Sequence, residues 1–283
     1  MPYIPAAGKP NPNARLINID FDPVKQTIPL WVFPSDLLMH ADSAKAVPSL
    51  VEAINSKISE ADKARIDERF QLIKDRHEKQ REEAEQLALS HAHRDQITPE
   101  WLSYCINQVV DDDTIVLDES VTNSGNVSSY IERSKPGTFF KSGGSSLGWA
   151  LGAALGTKLA EPDKTVVTTV GDGAFYYGCP TSTLWAADVH DAPFLTVIYN
   201  NEIHNAPKQA LKRGYATSYS EKTNNWVGMG LGPSVDFAMV AEACRAYGEI
   251  VTDPAEVKPA LERAMEQVRN GRAAVLDVRI EHP

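Results

Sequence analysis

Cysteine is scarce in this sequence, and the few cysteines that occur lie far apart. Cys105, Cys179 and Cys244 are three among 283 residues, and no CxxC pair is present. A disulfide framework or a zinc site built on paired cysteines is therefore not expected, and a reducing compartment fits this usage best. We predict a cytoplasmic protein.

Long apolar runs and an excess of basic residues are also lacking. No stretch approaches the ~20 apolar residues that a membrane-spanning helix requires. The amino terminus has neither the basic nor the apolar region of a signal peptide. Lysine and arginine number 28 against 38 aspartates and glutamates, a formal net charge of −10. Nucleic acids and anionic membranes bind basic faces, so we expect neither as a partner.

Residues 1–57 have the pattern of an incomplete α/β domain. Alternating apolar residues predict a strand over 14–20, a short apolar run follows at 36–39, and apolar spacings of three and four predict a helix over 43–56. A unit of this size is too small to bury a core of its own. We therefore predict that residues 1–57 are the C-terminal part of an α/β domain, and the resemblance described below makes it the central domain.

Residues 58–95 are charged and helix-prone, as in the run DERFQLIKDRHEKQREEAEQLA. Charge runs of this kind are typical of a solvated helical face. A charged helical linker is our prediction, and a partner-binding helix is the alternative.

Residues 96–283 alternate between strand and helix patterns. Thr98 followed by Pro99 is a typical helix start, and it predicts a helix that runs to Val110. Strands are predicted at 114–118, 165–170, 194–199, 249–251 and 274–280, and helices at 147–159, 181–190, 236–247 and 254–269. Nearly unbroken apolar strands between helices predict an α/β domain with a doubly wound parallel sheet.

Two polar motifs follow two of these strands. The turn Gly171, Asp172, Gly173, Ala174 comes directly after TVVTTV, and a pair of asparagines at 200–201 comes directly after FLTVIY. Open α/β sheets bind ligands at the carboxyl ends of their strands. Glycines let a backbone approach a phosphate closely, and an aspartate with an asparagine oxygen suits Mg²⁺. Each motif alone is as typical of an ordinary turn, but together they predict a magnesium and phosphate site.

The GDG motif, a spacer of about two dozen residues and NN resemble the motif of thiamine-diphosphate-dependent enzymes. The resemblance extends from about residue 97 to the C-terminus. It is closest to the group of acetohydroxyacid synthase, benzoylformate decarboxylase and pyruvate decarboxylase. Residues 14–56 resemble the second half of the central domain in that group.

The resemblance implies roles for the residues of both motifs. Asp172, Asn201 and the main-chain oxygen of Ile203 would bind Mg²⁺. Gly173 and Ala174 would bind the diphosphate through their amides, in the turn that Gly171 opens.

Three further segments are implied to contact the cofactor. Val121, through its backbone, and Thr122 would lie beside the diphosphate, and the Ser145 carbonyl would accept a hydrogen bond from the pyrimidine amino group. Leu147 would force the cofactor into its bent shape, although a core leucine at the start of a helix is the alternative. His204, in the long polar stretch after Asn201, would lie near the thiazolium and move a proton, or else be an exposed loop histidine.

The same resemblance implies a missing half. In the family a pyrimidine-binding domain carries the glutamate that activates thiamine diphosphate, and no residue here can be given that role. We therefore expect a partner chain that carries this domain, within a homo- or hetero-oligomer, and a fragment of a longer protein is the alternative.

The expected activity is that of a thiamine-diphosphate-dependent lyase or transferase that acts on a small 2-oxoacid as decarboxylase or carboligase, with acetolactate-synthase-like carboligation preferred. A catalytically silent cofactor-binding or assembly subunit is the alternative. A dinucleotide-binding dehydrogenase ranks below both, because no GxGxxG follows the first strand of the large domain.

Overall fold

The computed structural model describes residues 11–25, 27, 35–144, 146–215 and 217–282. The chain divides into two compact units, Met1–Arg76 and His77–Pro283. The division lies inside one long helix, so the domain boundaries predicted at 57/58 and 95/96 stay predictions.

The first unit contains a small parallel sheet and one amphipathic helix. Strands β1 (Ile17–Asp20) and β2 (Leu37–His40) pair in parallel, and helix α1 (Ser43–Asn55) follows. The Asp42 side chain caps α1 by accepting a hydrogen bond from the backbone N–H of Ala44. Helix α2 (Glu60–His91) covers the charged run predicted to be helical.

The second unit continues with alternating helices and strands. In chain order they are α3 (Pro99–Val109), β3 (Ile115–Glu119), α4 (Ser124–Tyr130), β4 (Phe139–Lys141), α5 (Trp149–Ala160), β5 (Val166–Gly171), α6 (Asp172–Tyr177), α7 (Pro180–Val189), β6 (Leu195–Asn200), α8 (Asn205–Gly214), α9 (Tyr219–Thr223), α10 (Phe237–Ala243), β7 (Tyr247–Val251), α11 (Val257–Arg269) and β8 (Ala274–Arg279). Short 3₁₀ turns at Val121–Asn123 and Pro254–Glu256 precede α4 and α11. The predicted start of α3 is confirmed, because the Thr98 hydroxyl accepts from the Trp101 N–H.

The strands β3 to β8 form one sheet in the order β4-β3-β5-β6-β8-β7, and every described pairing in it is parallel. One apolar cluster contains side chains from α3, α4 and α11, and the other contains side chains from α5, α6, α7 and α10. Helices therefore cover both faces of the sheet, and the predicted α/β doubly wound fold is confirmed.

The order of the strands determines where a ligand can enter. From β3 the chain runs outward to the edge strand β4 and then returns to β5 on the other side of β3. The point between β3 and β5 is therefore a topological switch point, where open α/β sheets leave a crevice beyond the carboxyl ends of the strands.

Candidate functional site

A cavity of about 420 Å³ opens at the carboxyl ends of β3, β5 and β6. Ten of the sequence-predicted site residues line it: Val121, Thr122, Leu147, Gly171, Asp172, Gly173, Ala174, Asn201, Ile203 and His204. Ser145 lies outside the described residues. The fold thus brings together residues that are up to 83 positions apart in sequence, although their individual roles stay predictions.

Asp172 is a buried carboxylate in the lining of the cavity. The residue is 4% exposed, and its Oδ1 accepts a hydrogen bond from the Gly173 N–H at 2.7 Å. Among the described residues, Oδ2 has no hydrogen-bond partner of normal geometry. Burial raises the pKa of the Asp172 carboxyl, while backbone N–H groups of Gly173, Glu202 and Ile203 and the charge of His204 oppose that rise.

Asn201 and Asp172 follow neighbouring strands and line the same cavity. Strands β5 and β6 pair in parallel with Gly171 opposite Tyr199, so both motifs leave the sheet at the same edge. The Asn201 side chain is 7% exposed, and its Oδ1 accepts from the Ile203 N–H at 3.2 Å. The preceding Asn200 is turned away, toward Asp277 on β8.

This donor set fits a hard divalent cation. A buried carboxylate oxygen without a hydrogen bond, an amide oxygen and a nearby main-chain carbonyl are the oxygen ligands that Mg²⁺ takes. The described residues contain no cluster of three His, Cys, Asp or Glu side chains that could hold a metal. A cation here would therefore complete its shell with main-chain, ligand or water oxygens.

The ring of His204 lies in close contact with the glycine turn at Gly173. A Cβ at Gly173 would lie 2.7 Å from Cε1 and 2.8 Å from Nδ1 of the His204 ring, so only glycine allows this approach. The ring also lies 6.4 Å from the ring of Tyr177. His204 is thus held over the GDG turn, facing the cavity, rather than projecting into solvent.

The segment before α5 is held by Glu119, a residue that the sequence-based reasoning gave no role. The Glu119 carboxylate accepts hydrogen bonds from the backbone N–H groups of Gly148, Trp149 and Ala150. Leu147 precedes them, half-buried, and contacts both the cavity and an apolar cluster of the core. The cofactor contact and the core leucine that the sequence offers for Leu147 therefore both stay predictions.

The loop after β3 contains a strained residue. Val121 has φ +53°, the left-handed region that β-branched residues rarely enter, and 44% of it is exposed at the cavity rim. Thr122 follows it in the 3₁₀ turn. Sequence gives no signal for this conformation, because valine is the residue type least expected there.

Lys141 is a second lining residue that the sequence reasoning missed. Its Nζ lies 3.5 Å from Asp118 Oδ2 and donates to Ser128 Oγ at 2.8 Å. It comes from β4, a strand of three residues that no sequence pattern predicted.

The structure defines a parallel α/β fold with a cavity at the switch point of its sheet. The profile of a family described as "Thiamine pyrophosphate enzyme, C-terminal TPP binding domain" matches residues 121–278, more than half of the chain. The chain belongs to this family, and the resemblance predicted from the motifs is confirmed. The domain that defines this family is a thiamine diphosphate-binding domain, and this supports thiamine diphosphate as the cofactor of the chain.

Curated relatives point to the same group. The chain is 26% identical over 273 residues to the acetolactate synthase isozyme 3 large subunit of Escherichia coli K12, covering 95% of this chain and 44% of that protein. It is 35% identical over 164 residues to the acetolactate synthase large subunit IlvG of Mycobacterium tuberculosis H37Rv, and the match covers 56% of this chain and 27% of that protein. A third relative is the benzoylformate decarboxylase of Pseudomonas aeruginosa PAO1, which is 30% identical over 110 residues. That match covers 39% of this chain and 20% of that protein. The chain thus spans less than half the length of these relatives.

Solved structures agree on the fold. The thiamine diphosphate-dependent 4-hydroxybenzoylformate decarboxylase of Rhodococcus jostii RHA1 matches with a TM-score of 0.59 and 26% identity, over 67% of this chain and 34% of that one. The benzoylformate decarboxylase of Polynucleobacter necessarius matches with a TM-score of 0.54 and 21% identity, over 63% of this chain and 32% of that one. At this identity the match supports the fold alone. Among the described residues, no helix is long and apolar enough to cross a membrane.

Proposed function

We propose that this chain holds the diphosphate and Mg²⁺ end of thiamine diphosphate in a 2-oxoacid decarboxylase or carboligase. The observation that carries the proposal is the buried Asp172 Oδ2, which has no normal hydrogen-bond partner among the described residues and lies at the sheet edge shared with Asn201. A buried ionised carboxylate is costly unless a cation or hydrogen bonds compensate it.

The residues divide the work of binding among them. Asp172, Asn201 and the main-chain oxygen of Ile203 would hold the cation, and the amides of Gly173 and Ala174 would face the diphosphate. The cation is needed because Asp172 and a diphosphate are both anionic and would otherwise repel each other. Thr122 and the backbone of Val121 would lie on the opposite wall, at the end of β3.

The bound cofactor supplies the electron sink for the loss of carbon dioxide from a 2-oxoacid. The contribution of the chain is to position that cofactor and to exclude water. Leu147 would provide an apolar support for it, and His204, held over the glycine turn, would hold or move a proton. Acetolactate-synthase-like carboligation is preferred, because acetolactate synthases are among its curated relatives.

Activity would also need a pyrimidine-binding domain that carries an activating glutamate, contributed by a partner chain. Two observations support the need for such a domain, whether a partner chain or a longer form of this chain carries it. The Escherichia coli relative has more than half of its length outside the matched region. Glu119 does line the cavity, but three backbone N–H groups of 148–150 already engage its carboxylate, so it is not free to act on a cofactor.

Isothermal titration with thiamine diphosphate and Mg²⁺ tests the proposal. It is run on the chain alone and on the chain co-expressed with the product of the neighbouring reading frame. We expect Mg²⁺-dependent binding in at least one preparation, and Asp172→Ala to abolish it.

Absence of binding in both preparations, or unchanged affinity in Asp172→Ala, would reject the proposal. Binding by the recombined halves without turnover of pyruvate or benzoylformate would favour the catalytically silent subunit instead.

A further inference from the structure

An ionic network with one fully buried and two partly exposed members lies at the loop that follows β6. Asp277, on β8, is fully buried, and its Oδ1 accepts from Asn200 Nδ2 at 2.8 Å. Its Oδ2 lies 2.8 Å from Nη2 of Arg279. Arg279 in turn donates through Nη1 to Glu202 Oε1 at 2.9 Å. The guanidinium therefore joins the buried end of β8 to the loop at the end of β6.

Glu202 is held in an unfavourable backbone conformation. Its φ is +58°, in the left-handed region, where a residue with a side chain normally costs free energy. Its carbonyl accepts from the Leu231 N–H at 2.8 Å, and its carboxylate accepts from the Ser234 N–H at 3.1 Å. Such a conformation persists only when the surroundings determine it, and these contacts, with the Arg279 pair, provide that constraint.

We propose that the Glu202–Arg279 pair is the positioning device of the cation-binding turn. Glu202 lies between Asn201 and Ile203, so its backbone conformation sets where the amide oxygen of one and the carbonyl of the other point. This inference rests on the proposed function, which assigns those two oxygens to the cation. Glu202 and Arg279 are positioning residues, because they act through their neighbours rather than on the ligand.

A merely structural role for the pair would give a different result. An ion pair that only stabilises the loop would affect unfolding but would leave the dependence of cofactor binding on Mg²⁺ concentration unchanged. A positioning role predicts that weakened cation binding can be overcome by more Mg²⁺. Partners that orient metal ligands typically change metal affinity by about 10–100-fold when they are removed.

The experiment uses two substitutions at one position. Glu202→Gly removes the carboxylate but tolerates the positive φ, so the backbone conformation itself adds no penalty. Glu202→Gln keeps acceptors for the Ser234 N–H and for Arg279. The matched control is Arg263→Met. It breaks an ion pair between Arg263 on α11 and Glu249 on β7.

Thiamine diphosphate affinity is titrated at low and at saturating Mg²⁺, in the preparation in which the wild type binds. At low Mg²⁺ we expect Glu202→Gly to weaken binding about tenfold or more, and saturating Mg²⁺ to restore most of it. Glu202→Gln and the control should remain within about threefold of the wild type. Hydrogen exchange should show faster exchange at the Leu231 and Ser234 amides in Glu202→Gly alone.

Arg279→Lys provides a second, independent variant. It keeps the charge but loses the planar fork that reaches Asp277 and Glu202 together, so it should also shift the Mg²⁺ dependence. Wild-type binding with an unchanged Mg²⁺ dependence in Glu202→Gly and Arg279→Lys would overturn the positioning role and leave the proposed function intact. A wild type that binds no thiamine diphosphate would reject both.

Discussion

The Glu119 carboxylate accepts a hydrogen bond of 2.8 Å from the backbone N–H of Ala150, at the start of helix α5. The first N–H groups of a helix have no partner within it, and a buried carboxylate both satisfies them and matches the helix dipole. Because Glu119 ends β3 and α5 follows the segment with Leu147, this one side chain ties two walls of the cavity together.

Glu119→Ala should lower the free energy of unfolding by about 2 kcal/mol, since hydrogen bonds from N–H groups to a buried charged acceptor are lost. Urea denaturation measures the change, and thiamine diphosphate affinity should fall with it because the Leu147 segment loses its anchor. Glu161→Ala, at the exposed end of α5, is the control and should have little effect. An unchanged unfolding midpoint in Glu119→Ala would show that the cap contributes nothing.

Leu147→Ala distinguishes a cofactor support from a core leucine. Leu147 is only partly buried, so we expect a stability loss of about 1 kcal/mol, below the roughly 2–5 kcal/mol typical of a fully buried leucine. Thiamine diphosphate affinity should fall about tenfold, as the apolar contact with the ligand is removed. The comparison is Leu151→Ala, one turn along α5 and buried, which should cost more stability and less affinity. The reverse pattern would assign Leu147 to the core.

The motifs on the two central strands could be located from sequence because their geometry is local. TVVTTV and FLTVIY consist of apolar residues and threonines that suit a buried strand, and two neighbouring parallel strands place the GDG and NN motifs at the same edge of the sheet. The elements missed were those that tertiary contacts stabilise. Strand β4 has three residues, α6 begins within a turn motif, and α8 lies in a polar stretch interpreted from sequence as a long loop.

The supporting network of the site could not be predicted for a different reason. Glu202 and Arg279 are 77 residues apart in sequence. They meet because β6 and β8 pair with Asn200 opposite Arg279, a register that no pattern in either strand specifies. A sequence therefore indicates ligand-facing residues that follow a recognisable motif, but not the side chains that orient them.

Val121→Asn should stabilise the ligand-free chain by about 1 kcal/mol, because asparagine tolerates the left-handed region and valine does not. Thermal or urea unfolding measures the gain. The matched control is Val235→Asn, at a valine of similar exposure without a positive φ, which should give no gain. If both substitutions destabilise equally, the conformation of Val121 stores no strain.

Asp172→Asn should separate stability from ligand binding. Burial raises the pKa of the Asp172 carboxyl above its usual value of 3.8, so the folded chain holds its proton more tightly than the unfolded chain does. The free energy of unfolding of the ligand-free protein then falls as the pH rises from the pKa of the unfolded chain to the higher pKa of the folded chain. It stays lower at neutral pH. Removing the buried charge should therefore raise stability at pH 7 by about 1 kcal/mol, a gain that shrinks toward pH 4.

The same raised pKa gives ligand binding the opposite dependence on pH. A cation needs the ionised carboxylate, so Mg²⁺-dependent binding of thiamine diphosphate should weaken as the pH falls through the pKa of Asp172. Because this pKa is raised, binding should weaken at a higher pH than it would with an aspartate of ordinary pKa. Asp172→Asn should bind no cofactor at any pH. Unfolding and titration measured across pH 4–8 on both proteins test the two dependences together. An asparagine variant that is less stable at neutral pH, or that still binds with Mg²⁺, would mean that the buried Oδ2 is not kept free for a cation.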